Sequence, residues 1–229
     1  MMPRKSLITA ILVFTSMLAA PLIQAKEDSL TIGLIGDSTV ANTYGWGPAF
    51  AASVQGKVKV LNVAKNGATL DSLSKKLDAL LKEKPDYVII QFGHNDMKRY
   101  DAKVYGEKLK RYVERIKKAG SEPIVFSSVT RRHFNENGKI QSVVFSERTL
   151  PEYALSAKAV AKETKAPFLD LNTISIEHHN KIGPEESATY NFKSNDKTHF
   201  SPKGAKKIAE LIITELKTTI PELKPYLPK

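Results

Sequence analysis

Short and almost uninterrupted apolar runs limit most strongly what this 229-residue chain can fold into. Strands that are apolar on both sides are typical of a parallel sheet covered by helices on both faces, because neither face then meets water. The predicted strands are Leu30–Ile35, Val58–Val63, Tyr87–Phe92, Ile124–Ser128 and Phe168–Leu171.

Amphipathic stretches separate these runs. In Leu70–Leu81 the leucines recur at the spacing of a helix with one apolar face. Similar patterns predict helices at Val104–Ala119, Leu150–Thr164 and Gly204–Leu216. The alternation of strand and helix predicts an α/β fold of βαβ units in a doubly wound sheet. No repeat or linker interrupts the pattern, so residues 26–229 are predicted to form a single domain.

The N-terminal segment has the pattern of a signal peptide. Arg4 and Lys5 precede the apolar run Leu7–Ala20, whose 14 residues are few for crossing a bilayer. Ile23–Ala25 offers a cleavage site. We therefore expect residues 1–25 to be removed and the mature chain to be periplasmic or extracellular, without stable membrane insertion. An uncleaved membrane anchor is the alternative interpretation.

The chain is strongly basic and contains no cysteine. Its 35 Lys and Arg residues outnumber 24 Asp and Glu residues, which gives a net charge of +11. Such a charge attracts polyanions at long range. An anionic polysaccharide suits an exported protein better than nucleic acid does, although surface lysines also serve solubility alone.

Three loops at the carboxyl ends of the first three strands carry groups suited to acyl transfer. Gly36-Asp37-Ser38-Thr39 follows the first strand and presents Ser38 as a candidate nucleophile, although serine is equally common as a helix cap. Gly67 follows the second strand and Asn95 the third. A main-chain N–H and a side-chain amide there can donate to a developing oxyanion, but plain turns would also explain both.

A candidate base lies near the C-terminus, before the last helix. Asp196 and His199 are three residues apart, so the carboxylate can accept a hydrogen bond from one imidazole nitrogen and leave the other facing a serine. The alternative is an exposed Asp–His pair. Of the other histidines, His94 shares the loop of Asn95, and we expect His133, His178 and His179 at the surface.

Four segments of the chain, taken in sequence order, resemble the motifs of the GDSL, or SGNH, hydrolase family. The matching segments are Gly36-Asp37-Ser38, Gly67, Gly93-His94-Asn95-Asp96 and Asp196 to His199. The resemblance implies a three-layer α/β/α sandwich with a five-stranded, parallel, flavodoxin-like sheet, and ester hydrolysis that uses no metal ion or cofactor. It also implies roles for five residues. Ser38 is the nucleophile, His199 the base and Asp196 its partner, while Ser38 N–H, Gly67 N–H and the Asn95 side chain form the oxyanion hole.

Within this family, the chain looks most like rhamnogalacturonan acetylesterases. The resembling segments are Gly36–Ala41, Gly45-Trp46-Gly47, Gln91–Asp96, Arg131–Phe134 and Asp196–Phe200. The resemblance implies removal of acetyl groups from a galacturonate-containing pectic polymer. Arg131, Arg132 and His94 are the predicted substrate-binding residues, since an arginine pair can hold a carboxylate. One departure is Gly67-Ala68-Thr69, where relatives often carry Gly-Arg-Ser.

Three other functions compete with this interpretation. A lipase, thioesterase or lysophospholipase of the same family would act on longer acyl chains. A non-catalytic polysaccharide-binding envelope protein would also account for the leader and the charge. A metallophosphoesterase could use Asp37, Asn95, Asp96 and His199 as ligands, but the early Asp-x-His spacing of such sites is absent from the sequence.

Overall fold

The computed structural model describes residues 30–229, so the predicted signal peptide lies outside the described residues. Strands and helices alternate along this part of the chain. The strands are β1 (Leu30–Gly36), β2 (Val58–Asn62), β3 (Tyr87–Gln91), β4 (Glu122–Phe126) and β5 (Phe168–Leu169). The helices are α1 (Gly47–Ser53), α2 (Ser74–Lys82), α3 (Ala102–Lys118), α4 (Leu150–Thr164), α5 (Leu171–Ala188) and α6 (Pro202–Thr219), with short 3₁₀ helices at Asp96–Lys98 and Pro221–Tyr226.

The five strands form one parallel sheet in the order β2-β1-β3-β4-β5. This is the flavodoxin-like order, which confirms the predicted sheet. Among residues 30–229, no helix is both long enough and apolar enough to cross a membrane.

Side chains alternate between two cores on opposite faces of the sheet. On β3, Ile89 packs with the core beneath α1 and α6, whereas Val88 and Ile90 pack with the core beneath α2, α3 and α4. All three side chains are buried. The apolar character of both strand faces is thereby explained, and the three-layer sandwich is confirmed.

Two helices of the structure have no counterpart among the predicted elements. α1 has only seven residues and begins at Gly47-Pro48, which reads as a turn signal in sequence. α5 contains Pro184 and a non-helical Gly183 with φ 78°, so it is two helical pieces joined at a kink. Its apolar residues follow no single helical period for this reason.

Several predicted boundaries also shift. α2 begins at Ser74 rather than Leu70, because residues 70–73 form a turn, which is tied across the fold by the Leu70 N–H donating to the Asp96 carboxylate. The fifth strand is shorter than predicted, since Leu171 already begins α5. The segment 130–148 contains no helix or strand beyond isolated bridges, in agreement with its irregular sequence.

The strand order creates a crevice at the carboxyl edge of the sheet. From β1 the chain turns outward to β2 and then crosses back to β3, so the connections after β1 and β3 diverge. Open α/β sheets bind ligands at such a point. Ser38 follows β1 and Asn95 follows β3, so both candidate residues lie at this crevice.

The two-core packing gives a matched stability test. Leu77 on α2 is fully buried, whereas Leu155 on α4 is 68% exposed. We expect Leu77→Ala to lower the free energy of unfolding by about 2–5 kcal/mol because it leaves a cavity. Leu155→Ala makes the same change on a helix surface and should cost less than about 0.5 kcal/mol. If urea denaturation showed that both variants lower the free energy of unfolding by the same amount, the described layers would be contradicted.

Candidate active site

Ser38 stands on a tight turn directly after β1. Gly36 permits this turn, because a Cβ at that position would lie 2.5 Å from the main-chain oxygen of Gln91 on the neighbouring strand. The turn closes when the amides of Val40 and Ala41 both donate to the Asp37 carbonyl, at 3.1 Å each. Ser38 is therefore held at the mouth of the crevice, with 6% of its surface exposed.

A buried chain of polar side chains fixes this turn from below. Trp46 Nε1 donates to Gln91 Oε1 at 2.9 Å, and Gln91 Nε2 donates to the Thr39 hydroxyl. Thr39 donates in turn, through its N–H and its hydroxyl, to Asp37 Oδ1 at 2.9 and 2.7 Å. Burial raises the pKa of the Asp37 carboxyl, and the two Thr39 hydrogen bonds oppose that rise. The backbone before Ser38 is thus tied to β3 by side-chain hydrogen bonds.

Ser38, His199 and Asp196 form a continuous hydrogen-bonded series. The Ser38 Oγ lies 2.8 Å from His199 Nε2, and His199 Nδ1 lies 2.8 Å from Asp196 Oδ2. The other carboxylate oxygen of Asp196 accepts from the amides of Thr198 and His199, at 3.1 and 2.9 Å. A carboxylate at Nδ1 favours the tautomer with its proton there, which leaves Nε2 as an acceptor for the serine hydroxyl.

Asp196 is held in its charged form. Partial burial raises the pKa of this carboxyl. Hydrogen bonds from the His199 amide and ring and from the Thr198 amide outweigh that rise and bring the pKa below its ordinary value. A carboxylate that stays ionised keeps the imidazole oriented and stabilises it when it becomes charged.

Arg132 supports the segment that carries Asp196 and His199. Its Nη2 donates to the main-chain oxygens of both residues, and its amide donates to Lys197 O at 2.9 Å. The guanidinium also donates from Nε to Asn191 Oδ1 at 2.7 Å, and it lies over the Phe200 ring.

This placement corrects the prediction of a substrate-binding role for Arg132. Only 2% of the residue is exposed, so its guanidinium offers no surface to a polymer. Burial lowers the pKa of the guanidinium to about 10, which leaves it charged at neutral pH.

The loops after β2 and β3 carry the candidate donors Gly67 and Asn95. Asn95 Nδ2 donates one proton to Ala68 O at 3.1 Å, which leaves its second amide proton available. Gly67 has φ +73°, a left-handed conformation that favours glycine. Within the described part of the chain, the amides of Ser38 and Gly67 donate to no acceptor. Three N–H groups are thus free to receive a negatively charged oxygen.

Asp96 ties these two loops together from the buried side. Its Oδ1 accepts from the Leu70 amide at 2.9 Å and from the Tyr100 hydroxyl. Burial raises the pKa of Asp96 to about 6, against the lowering effect of these hydrogen bonds. The contact between Asp96 and Leu70 spans 26 residues of chain, so no local sequence pattern indicates it.

Arg131 and His94 form a pair beside Asp37. Arg131 Nε donates to His94 Nδ1 at 3.3 Å, so His94 carries its proton on Nε2 and donates it to Val129 O at 2.9 Å. Burial, followed by the Arg131 charge, lowers the pKa of His94 well below its ordinary value. With 2% exposure, His94 orients Arg131 and does not face solvent, whereas Arg131 is partly exposed.

The remaining histidines lie away from Ser38. His179 is fully buried and hydrogen-bonded to Ser187 Oγ at 2.9 Å, which corrects the expectation of a surface residue. Burial lowers its pKa to about 3, so it stays neutral. His133 and His178 are partly buried. Within residues 30–229, no three His, Asp or Glu side chains converge as a metal site.

The raised pKa of Asp96 predicts a pH-dependent cost to stability. The folded state holds its proton up to a pH of about 6, whereas the unfolded chain releases it near 3.8. The stability that this group contributes is therefore fully present below the pKa of the unfolded state. It is lost as the pH rises through the pKa of the folded state. We expect the unfolding free energy of the wild type, relative to Asp96→Asn, to fall by about 3 kcal/mol between pH 3 and pH 8.

Urea denaturation of both proteins at a series of pH values measures this difference. Subtracting one free energy of unfolding from the other cancels the contribution of every titratable group that both proteins share. Asp101→Asn is a suitable control because Asp101 is an exposed helix cap at the start of α3. A pH-independent difference for Asp96→Asn would contradict the buried, protonated carboxyl.

Known proteins resemble this chain in sequence and in fold. Residues 28–207 match the GDSL-like Lipase/Acylhydrolase family. The chain is 34% identical over 224 residues to the rhamnogalacturonan acetylesterase RhgT of Bacillus subtilis (strain 168), covering 86% of this chain and 94% of that protein. It is 31% identical over 201 residues to YesY of the same organism, named a probable rhamnogalacturonan acetylesterase, covering 82% and 88% of the two chains.

Solved structures agree with the fold. The crystal structure of YxiM from Bacillus subtilis aligns with a TM-score of 0.73 at 27% identity and covers 83% of this chain, which spans 56% of the YxiM chain. Axe2, an acetylxylan esterase from Geobacillus stearothermophilus, aligns with a TM-score of 0.62 at 21% identity, covering 82% and 94% of the two chains. The chain therefore belongs to the GDSL-like lipase/acylhydrolase family and is a carboxylic ester hydrolase.

Proposed function

We propose that this protein is a carbohydrate acetylesterase that removes O-acetyl groups from a pectic polysaccharide, with Ser38 as its nucleophile. The observation that carries the proposal is the series Ser38–His199–Asp196, with hydrogen bonds of 2.8 Å on both sides of the imidazole. A nucleophile, a base and an orienting carboxylate are what acyl transfer through a covalent intermediate requires.

The first half of the reaction transfers the acetyl group to the enzyme. Ser38 Oγ attacks the ester carbonyl carbon while His199 Nε2 takes the hydroxyl proton. The carbonyl oxygen becomes an oxyanion that accepts from the amides of Ser38 and Gly67 and from Asn95 Nδ2. The intermediate collapses when the C–O bond to the sugar breaks, and His199 gives its proton to the departing sugar oxygen. The sugar leaves with a free hydroxyl, and Ser38 carries the acetyl group.

The second half releases acetate. A water molecule gives a proton to His199 Nε2 and attacks the acetyl carbonyl, so the same three donors hold the second oxyanion. Collapse breaks the bond to Ser38 Oγ, which recovers its proton from His199. Throughout both halves Asp196 keeps the Nδ1 proton in place and stabilises the charged imidazole, and the carboxylate itself stays ionised.

The choice of substrate rests on charge and on the names of the relatives. RhgT and YesY bear names for rhamnogalacturonan acetylesterases, and Axe2 is named for acetylated xylan. With Arg4 and Lys5 of the predicted leader removed, the net charge falls from +11 to +9, which still favours a polyanion over a neutral polymer. Arg131 is the partly exposed arginine beside the nucleophile turn and is suited to a substrate carboxylate. Because a polymer is met outside the cytoplasm, we place the activity in the periplasm or the medium, in line with the predicted leader.

Variants at Ser38 and Asn95 test the assigned roles. Ser38→Ala removes the attacking oxygen, and we expect kcat for p-nitrophenyl acetate to fall by about 10⁴-fold or more. Asn95→Ala removes one oxyanion donor and should lower kcat by roughly 10²–10³-fold with a smaller change in KM. Ser53→Ala, at the C-terminal end of α1, is the control and should leave both constants near those of the wild type, because the Ser53 hydroxyl donates only to Ala49 O of the same helix. Retained activity in Ser38→Ala would disprove the nucleophile assignment.

A substrate panel tests the acyl group and the polymer. Acetate release from acetylated rhamnogalacturonan should exceed release from acetylated xylan at equal acetyl concentration, and the excess should shrink as salt screens the charges. Aryl esters of increasing chain length form the second arm, in which acetate should be preferred. A preference for octanoate would support the lipase or thioesterase alternative instead.

A further inference from the structure

An apolar groove runs beside the candidate base and takes no part in the steps above. It has a volume of about 390 Å³ and opens to solvent. Its walls come from two distant parts of the chain. One is the connection between β1 and α1 with the first turn of α1, and the other is the segment before α6 with the first turn of α6. The lining residues that matter most are Tyr44, Pro48, Phe192, Phe200 and Pro202.

Two aromatic rings form the wall nearest to the candidate base. The ring centroids of Tyr44 and Phe192 lie 4.4 Å apart, and Tyr44 also lies 5.4 Å from the His199 ring. Phe192 is 38% exposed, so its ring is accessible from solvent. Main-chain bonds hold the wall in place, since Phe192 N donates to His199 O and Phe200 N donates to Tyr44 O. The backbone of the groove wall is therefore joined by a hydrogen bond to the backbone of His199.

The chemistry at His199 decides which part of the ester meets this groove. The carbonyl oxygen must point toward the Gly67 and Asn95 donors, while His199 must reach the oxygen of the departing alcohol to protonate it. A groove that borders His199 thus lies on the alcohol side of the ester. A sugar ring occupies that side, whereas an acyl chain extends away from the leaving oxygen.

A single cation stands over the aromatic wall. The Lys193 ammonium lies 5.7 Å from the centroid of the Phe192 ring. None of the ion pairs among residues 30–229 involves Lys193, whereas Lys203, near the same groove, is paired with Glu186. An ammonium beside an aromatic face suits a ring that has both an apolar face and a carboxylate.

We propose that this groove is a sugar-binding subsite, in which a uronate ring of the polymer stacks on Phe192 and Tyr44 and its carboxylate pairs with Lys193. The proposal rests on the carbohydrate acetylesterase function and assigns the groove to the alcohol portion of the substrate. The uronate ring adjoins the acetylated sugar along the polymer. Stacking fixes that sugar against His199, so the subsite acts on specificity and on orientation.

Binding by a catalytically silenced protein tests the subsite. In a Ser38→Ala background, calorimetric titration with acetylated rhamnogalacturonan oligosaccharides gives a dissociation constant without turnover. Phe192→Ala should raise this constant about three- to tenfold, and Phe192→Trp should restore most of the affinity. Phe145→Ala is a matched control, because Phe145 is 39% exposed on a different loop and lies outside the groove.

The charge is tested separately. Lys193→Gln should weaken binding of the uronate-containing oligosaccharides and reduce the salt dependence of that binding, while binding of neutral acetylated xylo-oligosaccharides should change less than twofold. Circular dichroism of each variant checks that the fold is retained, which we expect because both side chains are exposed at the surface.

The outcomes separate this inference from the proposed function. Acetate release by the wild type tests the function alone, whereas the affinities of the Ser38→Ala variants test the groove alone. Unchanged affinity in Phe192→Ala would overturn the subsite and leave the esterase assignment intact. If Phe192→Ala changed the preference between acetate and octanoate esters, the subsite proposal would also be overturned, because the groove would then hold the acyl chain.

Discussion

The parallel pairing of β1 with β3 is the constraint on which the catalytic edge of this molecule depends. Gly36 and Gln91 are register partners at the carboxyl ends of these strands, and the glycine lets the two backbones come close enough for Gln91 to reach the Ser38 turn. Because the connections after β1 and β3 then diverge, the nucleophile and the Asn95 loop face each other across one crevice. A larger residue at Gly36 would collide with the backbone of β3.

Buried polar groups transmit this constraint to the reacting atoms. Trp46, Gln91, Thr39 and Asp37 hold the turn of Ser38, while Asp96 joins the two donor loops. Arg132 performs the equivalent task for His199 from the other side of the crevice. Such networks are costly to bury unless nearly every member is bonded, and the benefit here is orientation. Catalysis by positioned groups depends on geometry to within a fraction of an ångström, which flexible surface loops alone would not provide.

The site is asymmetric about the nucleophile, and this asymmetry links mechanism to specificity. In the proposed mechanism, main-chain and amide N–H groups receive the negative charge that develops on the ester carbonyl oxygen. The same mechanism has the alcohol depart on the side of the imidazole, which the aromatic groove borders. In an acetylesterase for polymers the acyl group is small and the alcohol is large, so the larger binding surface is expected where the groove is found. Arg131, next to Asp37, adds a cation near the same crevice.

Much of the fold of this protein was predictable from short-range patterns in the chain. Apolar runs and helical stripes predicted the parallel sheet and the helices α2, α3, α4 and α6, because strand and helix periodicity is imposed by the backbone over a few residues. The four family blocks identified the groups that the fold brings together. Helices α1 and α5 escaped detection, since the first is short and opens with Gly-Pro and the second is broken at Gly183.

What the sequence by itself determined is therefore the sheet, the family and the identity of the candidate reacting groups. Only the tertiary structure decided how the other polar residues are used. Arg132 and His94 look like surface ligands in the sequence, but both are buried. Their hydrogen-bond partners, the carbonyls of His199 and Val129, lie 67 and 35 residues away in the chain. Tyr44 and Phe192 likewise become one aromatic wall only when segments about 150 residues apart meet. Such contacts leave no local pattern, because they depend on where the folded backbone places distant residues.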